Sequence, residues 1–213
     1  MRTSPNPEQR RRTLCDVAIR LLAEGGLKSA THLKVDRAAG FPDGTTSFYF
    51  RTSSALLCAV AERVAELDLK DLRAATRDPG GDSRASGLAT LVIRCGSGVR
   101  LVRTKARNEL ALQAARDPDL AAALRGYTEE FSALIRDVVV RLQPRRGRAG
   151  PALLEAQTYA VTMFIGGVML SAATGRRAAH SAADLDALIS GIVRGLGAQS
   201  WPESGKVGIE SSL

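Results

Sequence analysis

Hydrophobic positions along the chain recur at helical spacing, and residues that end helices separate the runs. The first run predicts a helix that begins near Pro7 or Glu8 and ends at Gly25-Gly26, with Leu14, Val17, Ala18, Leu21 and Leu22 on its apolar face. A longer run predicts a helix from Thr52 or Ser53 to about Thr76, with core positions Leu56, Leu57, Val60, Ala61, Val64 and Leu67. Residues 78–83, rich in Pro, Gly and Asp, predict a loop after it.

The rest of the chain shows the same helical periodicity and no strand pattern. We expect one helix over 88–101, loosened by Gly96 and Gly98, and a short helix over 106–115. A long helix should begin at Asp117-Pro118-Asp119, and a basic, Gly- and Pro-rich linker should occupy 144–151. Two final helices are predicted over 152–174 and 182–196, followed by a tail at 199–213. The sequence therefore predicts an all-α fold.

The stretch from Thr31 to Leu57 predicts two short helices joined by a tight turn. An amphipathic run (Leu33, Val35, Ala38 and Ala39) stops at Gly40, and a second run restarts at Pro42, a residue that suits the first turn of a helix. This pattern is typical of a helix-turn-helix. Four of the nine aromatic residues of the chain lie here, at 41 and 48–50, which indicates that so small an element needs a rigid anchor. Of these four, Phe50 is expected in the core.

At these residues the chain resembles a known family. The pattern Ala-Ala-Gly-Phe-Pro-x-Gly-Thr-x-x-x-Tyr-Phe, followed by Leu56-Leu57, is similar to the DNA-binding domain of TetR-type transcriptional regulators over roughly residues 10–67. The resemblance implies a three-helix helix-turn-helix domain at 1–52, linked by the helix at 52–76 to a helical ligand-binding and dimerisation domain within 53–198. It also implies a regulator, usually a repressor, that binds double-stranded DNA as a homodimer and responds to a small-molecule effector.

Residues near the N-terminal end of a recognition helix meet base edges, and flanking residues contact phosphates. We therefore expect groove contacts from Thr45, Thr46, Ser47 and Phe48, and backbone contacts from Lys34, Arg37, Tyr49, Arg51 and Thr52. The resemblance implies contacts at Thr45, Ser47, Phe48 and Tyr49. The chain departs from many family members at Ser47, where they have tyrosine, and at Ser53, where they have lysine. Asp43 would repel phosphate, so we expect it to point away from DNA or to accept from a cytosine amino group.

The resemblance implies that the second half holds an effector pocket and the dimer interface. The helix at 152–174 is apolar nearly all round, and a partner subunit would cover its outer face. The homodimer is therefore expected to form through 152–174 and 182–196. Polar or aromatic residues within apolar helices are candidate effector contacts, although each is more often a core or interface residue: Asn108, Glu109, Gln113, Tyr127, Phe131, Gln157, Tyr159, Thr162 and Met163.

Composition supports a polyanionic partner and gives no support to an enzyme. The formal charge is +8, and the positive excess is densest at the N-terminal end, where Arg10–Arg12 form a run that either binds phosphate or is simply solvated. The three widely spaced cysteines predict buried thiols in a reducing compartment. The longest apolar stretch, 160–173, is too short to span a bilayer, so we expect a cytoplasmic protein with no membrane contact.

The sequence lacks the motifs of metal sites and of common enzyme classes. No histidine lies at metal-ligand spacing, and neither a nucleophile elbow nor a phosphate-binding glycine loop occurs, so we expect no metal, no cofactor and no catalysis. Two alternatives to a regulator stay open: a nonspecific nucleic-acid-binding protein and a helical ligand carrier without DNA binding.

Overall fold

The computed structural model describes residues 6–77, 86–143, 149–176 and 181–198, and within these ranges it is all-α. Nine α-helices occur there, with one short 3₁₀ helix at Leu27–Ser29 after the first. The helices are α1 Pro7–Gly25, α2 His32–Ala39, α3 Thr45–Tyr49, α4 Ser53–Arg77, α5 Gly87–Arg94, α6 Gly98–Ala114, α7 Pro118–Leu142, α8 Pro151–Ala173 and α9 Ala182–Gly197. The predicted all-α fold is confirmed. The predicted loop at 78–83, most of the linker and the tail lie outside the described residues.

The chain folds as two compact units. The first is drawn from residues 1–68 and 97–127, and the second from 69–96 and 128–213. The two longest helices, α4 and α7, each contribute residues to both units.

The core of the first unit combines α1 and the helix-turn-helix with parts of α4, α6 and α7. Fully buried side chains from each meet there, among them Leu14, Val35, Phe50, Leu56 and Leu110. Outside this core, Arg63 of α4 donates from Nε to Asp16 of α1 at 2.9 Å and from Nη1 to Glu66 at 2.8 Å. The hydrogen bond to Asp16 is the main cause that raises the pKa of Arg63. These contacts hold the helix-turn-helix against a rigid apolar base.

The second unit has its own core, built from α5, α8 and α9 with the adjoining parts of α4 and α7. Its buried side chains include Leu72, Val92, Ile135, Ile165 and Ile189. A capping box begins α9: Ser181 and Asp184 exchange side-chain to backbone hydrogen bonds. Helices α8 and α9 pack against each other and both contact α5.

Three expectations need correction. The apolar positions from 88 to 101 do not form one helix, because the chain turns between Cys95 and Ser97 and restarts at Gly98, whose φ of +54° lies in the left-handed region. Val99 and Leu101 therefore belong to α6, and the predicted separate helix at 106–115 is the later part of α6. Pro42 does not lie in the first turn of the second short helix, since α3 begins only at Thr45 and the carbonyl of Pro42 accepts from the Thr45 amide at 3.1 Å.

Helix α8 departs from the third of these expectations. This helix has 23 residues and is long and apolar enough to cross a membrane by length and composition, whereas the sequence suggested an apolar stretch too short to do so. Only 28% of its most apolar 18-residue window is buried. The core helix of a soluble protein can also be this long and this apolar. Because most of the window is not buried, α8 has an apolar face that the described part of the chain leaves uncovered.

Candidate nucleic-acid interface

Helix α2 and the turn that follows it form the first half of the helix-turn-helix. Thr31 begins α2 by accepting from the Lys34 amide, and Gly40 ends it in the left-handed conformation, with φ of +69°. The Gly40 amide donates to the Arg37 carbonyl and the Phe41 amide donates to the Asp36 carbonyl at 2.9 Å. Gly40 meets this backbone requirement without steric cost, and the turn therefore follows directly from its sequence.

The N-terminus of the recognition helix α3 is capped by a side chain from α2. The residue at the N-cap position is Gly44, which has a φ of +95° and no side chain to accept from the first amides of the helix. Asp36 supplies the missing acceptor: its Oδ2 accepts from the Gly44 amide at 2.8 Å, and its Oδ1 accepts from the Thr46 amide at 2.7 Å and from the Thr46 hydroxyl. Asp36 is fully buried, and these donors offset the cost of removing its carboxylate from water.

The C-terminal end of α3 is held by side chains from α1 and α2. The Phe50 carbonyl lies 2.7 Å from Nε2 of His32, so the imidazole donates through that nitrogen. Arg11 of α1 places its guanidinium 4.6 Å from the centre of the Phe50 ring and donates to the Tyr49 carbonyl at 3.5 Å. A helix of five residues has little stability of its own, so these contacts at both ends fix its position. We call Asp36, His32 and Arg11 the α3 clamp.

The clamp leaves one face of α3 open to solvent. Phe48 is 77% exposed and Ser47 is also exposed, while Thr45 and Tyr49 are half-buried. The ring of Phe48 meets that of Tyr49 edge to face, with 5.3 Å between centroids and an interplanar angle of 85°. Phe50, by contrast, is 2% exposed, which confirms that it belongs to the core.

The structure contradicts one of the predicted groove contacts. Thr46 is fully buried, and both its amide and its hydroxyl donate to Asp36, so its side chain has no access to a DNA groove. Thr46 is a packing and capping residue of the helix-turn-helix. It is therefore removed from the candidate DNA contacts.

The basic candidates around α3 are exposed, and some have protein partners. Lys34 donates from Nζ to the Lys28 carbonyl at 3.0 Å, and Arg37 pairs with Asp43 at 3.3 Å. This ion pair partly neutralises the Asp43 carboxylate, which the sequence analysis expected to repel phosphate. Arg51 and Thr52 are exposed, and the Thr52 hydroxyl accepts from the Ala55 amide at the start of α4.

The clamp was missed by sequence reasoning, and one signal could have revealed part of it. A glycine at the N-cap of α3 implies that another residue must accept from the helix amides, and Asp36 and Asp43 are the two carboxylates that precede it within the helix-turn-helix. Arg11 lies within the arginine run, for which phosphate binding and simple solvation were both left open. Its contacts with Phe50 and Tyr49 give it a structural role that neither alternative included.

The candidate effector residues are distributed over both units and differ in environment. Gln157 is fully buried and satisfied, since it accepts from Gln143 at 2.6 Å and donates to the Val193 carbonyl at 2.7 Å. Tyr159 and Met163 are 46% and 52% exposed on α8. Half-buried positions are occupied by Asn108, Glu109, Gln113, Tyr127, Phe131 and Thr162.

Two of these candidates have unsatisfied polar atoms. Within the described part of the chain, Asn108 Nδ2 and Thr162 Oγ1 are buried without a hydrogen-bond partner. Each such group costs stability, and a polar ligand atom could satisfy it. Asn108 belongs to the first unit and Thr162 to the second.

The cysteines behave as free thiols in protected environments. Cys15 and Cys95 are buried and Cys58 is half-buried. Burial raises the pKa of the Cys15 thiol to about 12, and burial also raises the pKa of Cys58. Among the described residues no group of three or more metal-ligating side chains is positioned to bind a metal ion.

Comparison with solved structures places this architecture among known proteins. The chain is similar to a transcriptional regulator from Rhodococcus sp. Rha1, with a TM-score of 0.69 and 19% identity over 87% of this chain and 95% of the other. It is similar to GusR of Salmonella enterica, with a TM-score of 0.66 and 18% identity over 89% and 98% of the two chains. It is also similar to the multidrug-binding protein EbrR in complex with ethidium, with a TM-score of 0.62 and 22% identity over 90% and 99%. At these identities the likeness establishes the fold.

The sequence itself carries the family assignment. No curated protein sequence matches the chain. A family model described as the C-terminal domain of tetracycline-repressor-like proteins matches residues 79–195, which is more than half of the chain. Together with the helix-turn-helix, this match shows that the chain belongs to the TetR family of transcriptional regulators.

Proposed function

We propose that this protein is a homodimeric regulator that binds a near-palindromic DNA operator through α3 and responds to a small-molecule effector. The observation that carries the proposal is the exposed face of α3, where Ser47 and Phe48 project from a short helix held at both ends by the α3 clamp. A surface this small gains nothing from such positioning unless it meets a partner of defined shape. The major groove of DNA is the partner that recognition helices of this motif enter.

The proposed contacts divide into base-facing and phosphate-facing residues. Thr45, Ser47 and Phe48 face bases, with Tyr49 at the edge of the groove. Lys34, Arg37, Arg51 and Thr52 surround them and would contact phosphates, which fixes the register of the helix on the duplex. Arg37 would then exchange its pairing with Asp43 for a phosphate, and the excess positive charge of the chain favours that exchange.

The dimer would form through α8 and α9. Tyr159, Met163 and Leu170 are 46%, 52% and 51% exposed and share a face of α8 with Gly166 and Gly167. On α9, Leu188 is 42% exposed and shares a face with Gly191 and Gly195. A Cβ at any of these four glycines would meet nothing within 4 Å beyond its own stretch of helix, so this surface is open. An apolar surface of this kind is typical of an isologous interface between two copies of a chain.

Dimerisation would present α3 twice. Two recognition helices related by a two-fold axis enter successive major grooves about 34–36 Å apart, and the operator should therefore be an inverted repeat. We propose a division of roles between a DNA-binding part at 1–52 and a regulatory part at 53–198; this division differs from the two compact units, the first of which also includes 97–127.

A small-molecule effector would act by favouring a geometry that does not fit the operator. The related EbrR is known in complex with ethidium. In this chain, Asn108 of the first unit and Thr162 of the second are separate candidate polar contacts, because each has a buried polar atom without a hydrogen-bond partner in the described part of the chain. Because α4 contributes to both units, a shift of α4 would change the separation of the two recognition helices. Tenfold release of the operator requires about 1.4 kcal/mol of differential effector affinity.

Selection of bound sequences from a random DNA pool tests the proposal with the full chain. We expect an enriched inverted repeat, and sedimentation should show two chains per site. Arg51→Ala should weaken binding to all sequences and lower the salt slope by about one unit per protomer, whereas Arg20→Ala, which removes the same charge from the middle of α1, should not. Enrichment without an inverted repeat, or binding that depends on salt alone, would instead favour the nonspecific alternative.

A further inference from the structure

The most exposed large apolar side chain on the described surface lies on the recognition helix. Phe48 is 77% exposed, more than any other large hydrophobic residue there. Its ring is not loosely solvated, because it meets Tyr49 edge to face at 5.3 Å. An exposed phenyl ring held in one orientation lacks the stabilisation that burial would give it. A partner that covers the ring would supply that stabilisation.

The segment around Phe48 lacks the side chains that identify most bases by hydrogen bonds. Residues 42–50 contain no Arg, Lys, Asn or Gln, the types that pair with guanine or adenine in a bidentate manner. The hydroxyl of Thr45 donates to the Pro42 carbonyl at 2.7 Å, and the hydroxyl of Thr46 is buried against Asp36. The helix therefore has few polar groups with which to discriminate bases.

Phe48 has no donor and no acceptor, so it can discriminate bases only by apolar contact. In the major groove the four bases differ in one apolar feature, the 5-methyl group of thymine. Cytosine carries a hydrogen at that position and the purines have no equivalent group. A rigid phenyl ring entering the groove is thus complementary to thymine and to no other unmodified base.

We propose that Phe48 recognises the 5-methyl group of one thymine in each operator half-site, with Tyr49 holding its ring in position. The inference rests on the proposed function, because it assumes that α3 enters the major groove. It predicts that the half-sites are specified mainly by thymine rather than by guanine. The same contact would also accept 5-methylcytosine, which carries its methyl group at the same ring position.

Replacing thymine by deoxyuridine tests the inference without altering the protein. The full chain is titrated with its selected operator, in which each thymine of one half-site is changed in turn to deoxyuridine. At one position the dissociation constant should rise about fourfold, and about fifteenfold when both half-sites are changed, the effect of losing one or two methyl contacts. A cytosine at that position should bind more weakly than 5-methylcytosine by the same factor.

Variant proteins identify the side chain that is responsible. Phe48→Ala should bind thymine and deoxyuridine operators equally, whereas Ser47→Ala should retain the methyl preference. Because Phe48 is largely exposed, the circular dichroism spectrum and thermal transition of Phe48→Ala should match those of the wild type.

The outcomes separate the inference from the function. Specific binding that no deoxyuridine substitution weakens, or a methyl preference that persists in Phe48→Ala, would overturn the role of Phe48 and leave operator binding intact. Failure to select any preferred sequence would overturn the proposed function, and the inference with it.

Discussion

Asp36 should be the most sensitive polar residue of the helix-turn-helix. Its carboxylate is fully buried and accepts from the Gly44 amide at 2.8 Å, the Thr46 amide at 2.7 Å and the Thr46 hydroxyl. In Asp36→Asn, one oxygen can still accept from Thr46, but an NH₂ group faces the Gly44 amide. One hydrogen bond is lost and two donors oppose each other, at a cost of about 1–3 kcal/mol. Asp36→Ala removes every acceptor and should cost about 3–6 kcal/mol.

Asp43→Asn is the matched control. Asp43 undergoes the same chemical change a few residues away, but its side chain is 59% exposed and pairs with the exposed Arg37. The loss should be no more than about 0.5 kcal/mol, because exposed ion pairs contribute little. Both variants can be compared by urea unfolding followed by circular dichroism, against total stabilities of about 5–15 kcal/mol for domains of this kind.

Hydrogen exchange locates the effect of Asp36→Asn. If the carboxylate caps α3, exchange of the amides in residues 44–46 should accelerate by about 5- to 150-fold, the factor that corresponds to 1–3 kcal/mol of local opening. Exchange in α8 should not change. Equal stability losses in Asp36→Asn and Asp43→Asn, or unchanged exchange at residues 44–46, would refute the assignment of Asp36 as the cap.

Three further predictions concern other parts of the chain. If the proposed dimer forms through α8, Met163→Glu should raise its dissociation constant by about 100-fold or more in sedimentation experiments, because a charge would be buried on each side of the interface. Leu112→Glu, at another exposed apolar position, should leave the dissociation constant unchanged. His32→Leu should destabilise the first unit by about 0.5–1.5 kcal/mol in urea unfolding and reduce the ratio of specific to nonspecific DNA binding, because the hydrogen bond to the Phe50 carbonyl is lost. His32→Gln, whose amide can donate to the same carbonyl, should restore the stability and the binding ratio. Burial raises the pKa of the Cys15 thiol from 9.0 to about 12, so the stability that the neutral thiol contributes is complete below pH 9 and is lost as the pH rises toward 12. The wild type should therefore lose stability relative to Cys15→Ala over that pH range. A stability difference that does not change with pH would contradict the burial of Cys15.

The helices could be predicted from the sequence where strong local signals mark their ends. Gly25-Gly26 and Gly40 end α1 and α2, and Pro118 begins α7, because each residue fixes a backbone requirement that is independent of its surroundings. The break before Gly98 was missed, since the apolar positions on both sides keep a helical spacing and isolated glycines such as Gly96 and Gly98 are often tolerated within a helix.

The candidate site was only partly predictable, because its polar residues depend on tertiary partners. Ser47 and Phe48 were correctly expected on the surface. Thr46 was also expected on the surface. In so short a helix the packing partner decides which side chains are buried, and Thr46 is buried because it hydrogen-bonds to Asp36. A carboxylate normally indicates a solvated position, and its burial becomes favourable only with donors that periodicity does not show.

The α3 clamp separates what keeps the helix folded from what it displays. Its stabilising contacts come from Arg11, His32 and Asp36, which belong to other helices, so the outward-facing positions of α3 contribute almost nothing to the fold. Ser47 and Phe48 can therefore be randomised together while the scaffold stays intact. A library at these two sites should yield many folded regulators with new operator preferences, and natural divergence within the family can follow the same route at little cost in stability.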